Sequence, residues 1–186
     1  MKLMIASDIH GSAKWCEKMI GAWRAEKPER LLLLGDLLYL GPRNDLPEDY
    51  APKRVIAMLN EIAPALLCVR GNCEAEVDQM VLSFPVMADY AALFVDGRML
   101  YLTHGHVFND ENPPKLIPGD LLLCGHTHVP RIRRCDTFTY INPGSVAIPK
   151  DGSPHSYCIY DGGWVTWKDV GNGNGVYMRE GVGSRE

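Results

Sequence analysis

The stretch Leu121-Leu122-Leu123-Cys124-Gly125-His126-Thr127-His128 constrains this chain more than any other. A short apolar run reads as a buried strand, and the glycine after it turns the chain. Two histidines follow, one residue apart. In extended backbone, positions i and i+2 point the same way, so the spacing predicts that both imidazoles face one cavity at the strand's carboxyl end. A lone His-x-His is more often a surface or core feature, and repetition is what changes the reading. Asp8-Ile9-His10 ends the apolar run of residues 3–6, Gly35-Asp36 ends 31–34, Gly71-Asn72 follows 66–69, and His104 follows 99–102. Five apolar runs therefore lead into side chains able to hold a metal.

Composition limits what such a chain can be. With 186 residues, 46% of them hydrophobic, it can bury one good-sized core, and a second full domain would be cramped. A formal net charge of −4 and the lack of a basic stripe interleaved with aromatics exclude polymeric nucleic acid as an electrostatic partner, though not a nucleotide as a small substrate. Cys16, Cys68, Cys73, Cys124, Cys135 and Cys158 stand singly, mostly within apolar runs. They read as reduced thiols of a cytoplasmic protein, not as a disulfide framework. The apolar start of the chain breaks at Asp8, too early for a signal sequence or a membrane span.

Taken in order, residues 2–7 read as a strand buried on both faces. Ser12 suits the cap of a helix whose Trp15, Cys16, Met19, Ile20 and Trp23 form one apolar face, closed by Pro28. Residues 30–35 form the next strand, and 36–50 a loop long enough to suggest function. Pro52 opens a second helix that ends at Pro64, and 65–69 is a third strand. This alternation predicts a parallel sheet with crossover helices. A short helical piece near 76–82 precedes a change of texture: Asp96-Gly97 marks a hairpin between 92–95 and 98–103. Short strands follow at 121–124, 131–134, 138–141, 157–160 and 164–168. Two sheets packed face to face between helices accommodate both halves. The expected domain is 1–169, and the glycine-rich, aperiodic residues 170–186 read as a flexible tail.

The candidate ligands Asp8, His10, Asp36, Asn72, His104, His126 and His128 all fall at carboxyl ends of expected strands, where open α/β proteins place their sites. Carboxylate, amide oxygen and imidazole without thiolate suit Mn²⁺, Fe²⁺, Zn²⁺ or Ni²⁺. A set of this size is enough for two adjacent cations, with one carboxylate between them.

The blocks Asp8-x-His10, Gly35-Asp36, Gly71-Asn72, His104-Gly105-His106 and Gly125-His126-Thr127-His128 resemble the calcineurin-like metallophosphoesterase signature. Within that superfamily, Gly41-Pro42-Arg43-Asn44, Arg70-Gly71-Asn72-Cys73, Asp78-Gln79-Met80 and Asn142-Pro143-Gly144-Ser145 are similar to the YfcE-type bacterial phosphodiesterases, and the match runs to about Asp169. The resemblance implies a four-layer α/β/β/α sandwich of two mixed sheets around a dinuclear centre. It gives Asp8, His10 and His128 to one metal, Asn72, His104 and His126 to the other, and Asp36 to both. Hydrolysis of a phosphodiester by a hydroxide held between two divalent ions, Mn²⁺ foremost, follows from it. A small phosphodiester substrate and assembly into a dimer or tetramer are further implications.

One residue departs from the pattern. Many superfamily members carry a general-acid histidine after the Gly-Asn pair, where this chain has Cys73. A neutral thiol is a poor proton donor to an alkoxide, so aryl phosphodiesters, which need less help, are the expected best substrates. Arg43 and Arg70 are candidates to contact a non-bridging phosphate oxygen. His106 reads as support for the His104 loop, residues 142–145 as a turn flooring the site, and His155 as exposed. The rival from a different class is a non-catalytic protein-binding scaffold on the same fold, as in the retromer subunit that resembles this superfamily. An aspartyl-nucleophile phosphatase would want an aspartate in place of His10, and a binuclear amidohydrolase a longer barrel.

Overall fold

The computed structural model describes residues 1–183. Its elements run β1 (Lys2–Ala6), α1 (Ala13–Glu26), β2 (Arg30–Leu33), α2 (Pro52–Glu61), a 3₁₀ turn (Ala63–Ala65), β3 (Leu66–Cys68), α3 (Glu76–Gln79), β4 (Ala91–Val95) and β5 (Arg98–Leu102). The second half adds β6 (Asp120–Leu123), β7 (Pro130–Arg134), β8 (Phe138–Pro143), β9 (Ser156–Asp161), β10 (Trp164–Asp169) and β11 (Gly175–Gly181).

Two mixed sheets result. The first has the order β11-β10-β9-β1-β2-β3, with β1, β2 and β3 parallel. The second is β4-β5-β6-β8-β7, with β5, β6 and β8 parallel. Alternation along the strands explains the layering. Met4, Ala6, Leu31 and Leu33 point into a cluster with Trp15, Cys16, Met19 and Ile20 of α1 and Val55 and Leu59 of α2. Leu3, Ile5, Leu32 and Leu34 point the other way, onto Leu100, Leu102, Leu121, Leu123 and Ile141 of the second sheet. Both faces of β1 and β2 are covered, which is why they read as unbroken apolar runs. The outer face of the second sheet carries a smaller cluster, Leu122, Cys124, Phe138 and Tyr140. Trp167 ties the sheets together, its Nε1 donating to the Asn142 carbonyl at 2.7 Å.

Helix α1 starts where Ser12 accepts from the Trp15 N–H at 3.4 Å and stops at Lys27, in a left-handed conformation (φ 50°) just before Pro28. Asp96 (φ 50°) and Gly97 (φ 78°) make the tight β4–β5 turn that their sequence predicts. The helix expected near 76–82 is shorter, a single turn at Glu76–Gln79.

The expectation of a flexible tail over 170–186 fails for most of its length. Gly175–Gly181 pair antiparallel with β10 and form the edge of the first sheet. Mostly exposed, this strand has no apolar period to betray it; main-chain hydrogen bonds hold it, together with Met178, which packs against the core between the sheets. Arg134 adds bonds to Glu180 (3.3 Å) and to the Gly181 carbonyl (3.1 Å), and the buried Arg98 donates to the carbonyls of Val182 and Gly183. Residues 184–186 lie outside the described residues.

Candidate metal centre

The parallel strands of both sheets end on the same side of the molecule, and their carboxyl-terminal turns are laced to one another. In the first sheet, Asp8 N donates to the Gly35 carbonyl (3.1 Å) and His10 N to that of Asp36 (2.9 Å). In the second, Gly125 N donates to the His104 carbonyl (2.8 Å). At these strand ends, bonds also cross between the sheets, among them His126 N to Asp8 Oδ2 (3.0 Å) and His104 Nδ1 to the Leu34 carbonyl (2.6 Å). Such close approach needs glycine in these turns. A Cβ on Gly71 would stand 2.1 Å from Asp36 Oδ1, and one on Gly125 would stand 2.0 Å from Ser7 Oγ.

All seven expected ligands meet here. Asp8 Oδ1 lies 3.5 Å from His10 Nε2 and 3.2 Å from His128 Nε2, and those two nitrogens are 3.2 Å apart. Asp36 Oδ2 stands 3.8 Å from His10 Nε2 and 3.4 Å from His104 Nε2, bridging to a second group. There His104 Nε2 is 3.1 Å from Asn72 Oδ1 and 3.2 Å from His126 Nδ1.

Anchoring of the imidazoles decides what these contacts mean. His10 Nδ1 donates to the Tyr39 carbonyl (2.8 Å), His104 Nδ1 to Leu34 and His128 Nδ1 to the Ile148 carbonyl (2.6 Å). A nitrogen bonded to a carbonyl must carry the hydrogen, so in the neutral ring each Nε2 presents a lone pair to the cluster. Lone pairs and carboxylate oxygens then face one another at about 3 Å, with Asp8 Oδ1 buried and lacking any hydrogen-bond partner. Acceptors converge like this where a cation belongs between them, and the donor chemistry fits two divalent ions.

The electrostatics agree. Burial alone would raise the Asp8 carboxyl, but the His10 and His128 imidazoles and the charge of His104 hold it well below the usual carboxylate range. Burial would likewise favour neutral His104, yet Asp36 and Asp8 raise it to about 9, so that in the metal-free chain a proton partly fills the cation's role. His126 goes the other way, lowered to about 4 by burial and by the neighbouring His104.

The backbone pays for this convergence. Asp8, His10, Asp36, His126 and His128 all have positive φ, between 47° and 67°, a conformation that costs an L residue about 1–2 kcal/mol. This corrects the expectation for His126 and His128. They do not continue a strand and face one way by alternation; each sits in a left-handed turn, and they serve opposite halves of the cluster.

The remaining expected residues fare unevenly. Arg43 lines a cavity of about 410 Å³ that opens beside the cluster, together with Asn44, Cys73, Thr127 and Lys150. Arg70 does not line this cavity; its guanidinium pairs with Asp89 at 2.8 Å. Cys73 is half-buried, and burial with the Asp36 charge raises its thiol far above the ordinary range, so it stays protonated. His106 stands 5.4 Å from the His104 ring, centroid to centroid. His155 is not simply exposed: it stacks on Trp15 and donates to the Val146 carbonyl at 2.8 Å. Residues 142–145 do floor the site. Asn142 Nδ2 donates to the Gly125 carbonyl (2.7 Å), and Ser145 Oγ to that of Asp8 (2.9 Å).

Sequence reasoning missed Glu74. Its carboxylate accepts the main-chain N–H groups of Asp36 (2.8 Å), Leu37 (2.6 Å) and Gly71, locking the turns after β2 and β3 together. Only its place two residues after Asn72 could have hinted at this.

Two sheets back to back, with acids and imidazoles gathered at their strand ends, define a metallophosphoesterase. A profile of the calcineurin-like phosphoesterase superfamily domain matches residues 1–162, and the chain belongs to that superfamily. Over 161 residues it is 48% identical to phosphodiesterase YfcE of Escherichia coli K12, covering 87% of this chain and 88% of that one. The solved structure of the E. coli phosphoesterase YfcE matches with a TM-score of 0.95 at 43% identity, over 98% of this chain and 100% of that one. A zinc complex of Vps29 from Entamoeba histolytica matches with a TM-score of 0.64 at 17% identity, over 98% and 100% of the two chains, a likeness of fold alone.

Proposed function

We propose that this chain is a phosphodiesterase whose two divalent cations, Mn²⁺ foremost, are held by Asp8, His10 and His128 on one side and Asn72, His104 and His126 on the other, with Asp36 shared. The observation that carries this is the meeting of three anchored Nε2 lone pairs with two carboxylates, of which Asp8 Oδ1 is buried without a hydrogen-bond partner. When bound, such a pair of ions makes water a nucleophile at neutral pH and neutralises phosphoryl charge. The protein's part is geometric. The carbonyls of Tyr39, Leu34 and Ile148 fix three rings, and Glu74 fixes the turn that carries Asp36.

Cys73 sets the leaving-group preference. Its thiol is held protonated and is too weak an acid to assist an alkoxide. Aryl diesters, whose leaving groups are weak bases, are therefore the expected best substrates. Cys73→His is predicted to raise rates on alkyl diesters by at least about tenfold, within the range that general acids supply, with little change on aryl diesters. An equal effect on both kinds argues against the assignment. Six free cysteines and a small polar cavity support a cytoplasmic enzyme acting on a small phosphodiester. No helix among the described residues is long and apolar enough to cross a membrane.

The deciding experiment is metal analysis of the purified protein with Mn²⁺ titrations of activity on aryl diester, monoester and phosphonate substrates. Two bound ions and turnover led by the diester are expected. Absence of turnover with every divalent ion would instead favour a non-catalytic scaffold.

A further inference from the structure

The cavity beside the metal cluster contains two basic side chains, Arg43 and Lys150, and its single acidic lining residue is Asp36, already committed to the cluster. Both cations are exposed, and both grow from backbone tied to the site. Lys150 N donates to the His128 carbonyl at 3.3 Å, and Ser153 Oγ donates to the Lys150 carbonyl at 2.6 Å. Arg43 sits in a turn that Asn44 closes by donating to the Leu40 carbonyl at 2.7 Å. Gly41 of the same turn packs so closely on Cys73 that a Cβ there would stand 3.2 Å from its sulfur.

Charge balance shows that these two side chains are surplus to the scissile group. Two divalent ions, when bound, would bring four positive charges, and Asp8 and Asp36 would cancel two of them. The attacking hydroxide and the single negative charge of a diester cancel the other two. Nothing is then left for Arg43 and Lys150 to neutralise at phosphorus, yet they face the same cavity.

Building on the phosphodiesterase reading above, we propose that the natural substrate carries a second anionic group, a carboxylate or a terminal phosphate, beyond the phosphodiester, and that Lys150 and Arg43 recognise it. Lys150 is the specificity residue that nothing in the sequence had singled out. A flexible ammonium at the rim suits an anion whose position varies from one substrate to another, while the guanidinium fork of Arg43 suits a planar or tetrahedral oxyanion.

The test uses the metal-loaded full chain and three p-nitrophenyl diesters that differ only at the far end of the second alcohol: carboxylate, phosphate, or a neutral carboxamide of equal length. The wild type is expected to favour at least one anionic ester about five- to tenfold in kcat/KM, mostly through KM, and the advantage should fade in high salt. The arm with the larger preference names the group. Lys150→Gln should lower the ratio, Lys150→Gln with Arg43→Gln should bring it close to one, and Lys150→Arg should retain it. Calorimetry of the alkyl phosphate products should show the same order of affinities, independently of turnover. Equal kcat/KM for all three esters, or a preference that survives Lys150→Gln and Arg43→Gln together, would overturn the inference and leave the phosphodiesterase intact. Failure to cleave any of the three with any divalent ion would remove the phosphodiesterase and this inference with it.

Discussion

The two halves of the metal cluster are built differently. Asp8, His10 and His128 are all buried, and both imidazoles are tied through Nδ1 to main-chain carbonyls. Across Asp36, only His104 has such an anchor. His126 is half-buried and turns its Nδ1 toward the cluster, while Asn72 is exposed and its amide leans on Cys73 at 3.3 Å. A cage whose ligands cannot move holds an ion tightly; a half-open one lets the ion and its remaining ligands exchange. With the proposed ions bound, the buried half, which lends only His128 to the cavity, is expected to retain its ion, and the open half, which lends both Asn72 and His126, to be the working one.

The largest effect that probes this contrast belongs to the residue the halves share. Asp36→Ala should lower activity by about 10³-fold or more and reduce the bound metal, measured by initial rates and elemental analysis. Next come matched ligand losses. His128→Ala should be purified without the tightly held ion, whereas Asn72→Ala should keep that ion and lose affinity for the other by about 10–100-fold. Equal losses in the two variants would erase the distinction.

Acidity sharpens it further. His104 has its folded pKa raised to about 9 from an ordinary value near 6.5. In the metal-free chain its stabilisation is complete below about pH 6.5 and is lost as the pH rises toward 9. A metal ion competes with that proton, so the loaded chain should not show the loss. Thermal melts from pH 6 to 9.5, with chelator and with Mn²⁺, should separate as the pH rises; parallel curves would remove the proton from its role as substitute. The smallest expected effect is read as stability. Glu74→Ala strands the N–H groups of Asp36, Leu37 and Gly71 and should cost about 2–4 kcal/mol, seen as a fall in Tm of several degrees.

Strand ends were legible because each buried run stops at a glycine or a polar residue. β1, β2, β3, β5 and β6 could be placed from Leu3, Leu31, Leu66, Leu100 and Leu121 outward, and the side chains that gather at their ends came with them. What escaped depends on partners far away in sequence. The left-handed turns at His126 and His128 are imposed by bonds to Asp8 and Ile148, which no local pattern encodes. Glu74 acts across 38 residues on Asp36, and His155 finds Trp15 from the opposite end of the chain. β11 was invisible for the reverse reason, since its glycines and mostly exposed side chains carry no periodic signal.

That last strand bears on how the protein can be shortened. A chain ended at Asp169 would keep every residue proposed to touch metal or substrate. It would also leave Arg98 charged inside the sandwich without the carbonyls of Val182 and Gly183, and uncover the whole rung of β10 that Gly175–Gly181 occupies. A bare rung is a template for strand addition by another copy. Truncation there should produce a catalytically furnished protein that self-associates, with the seal lost before the chemistry.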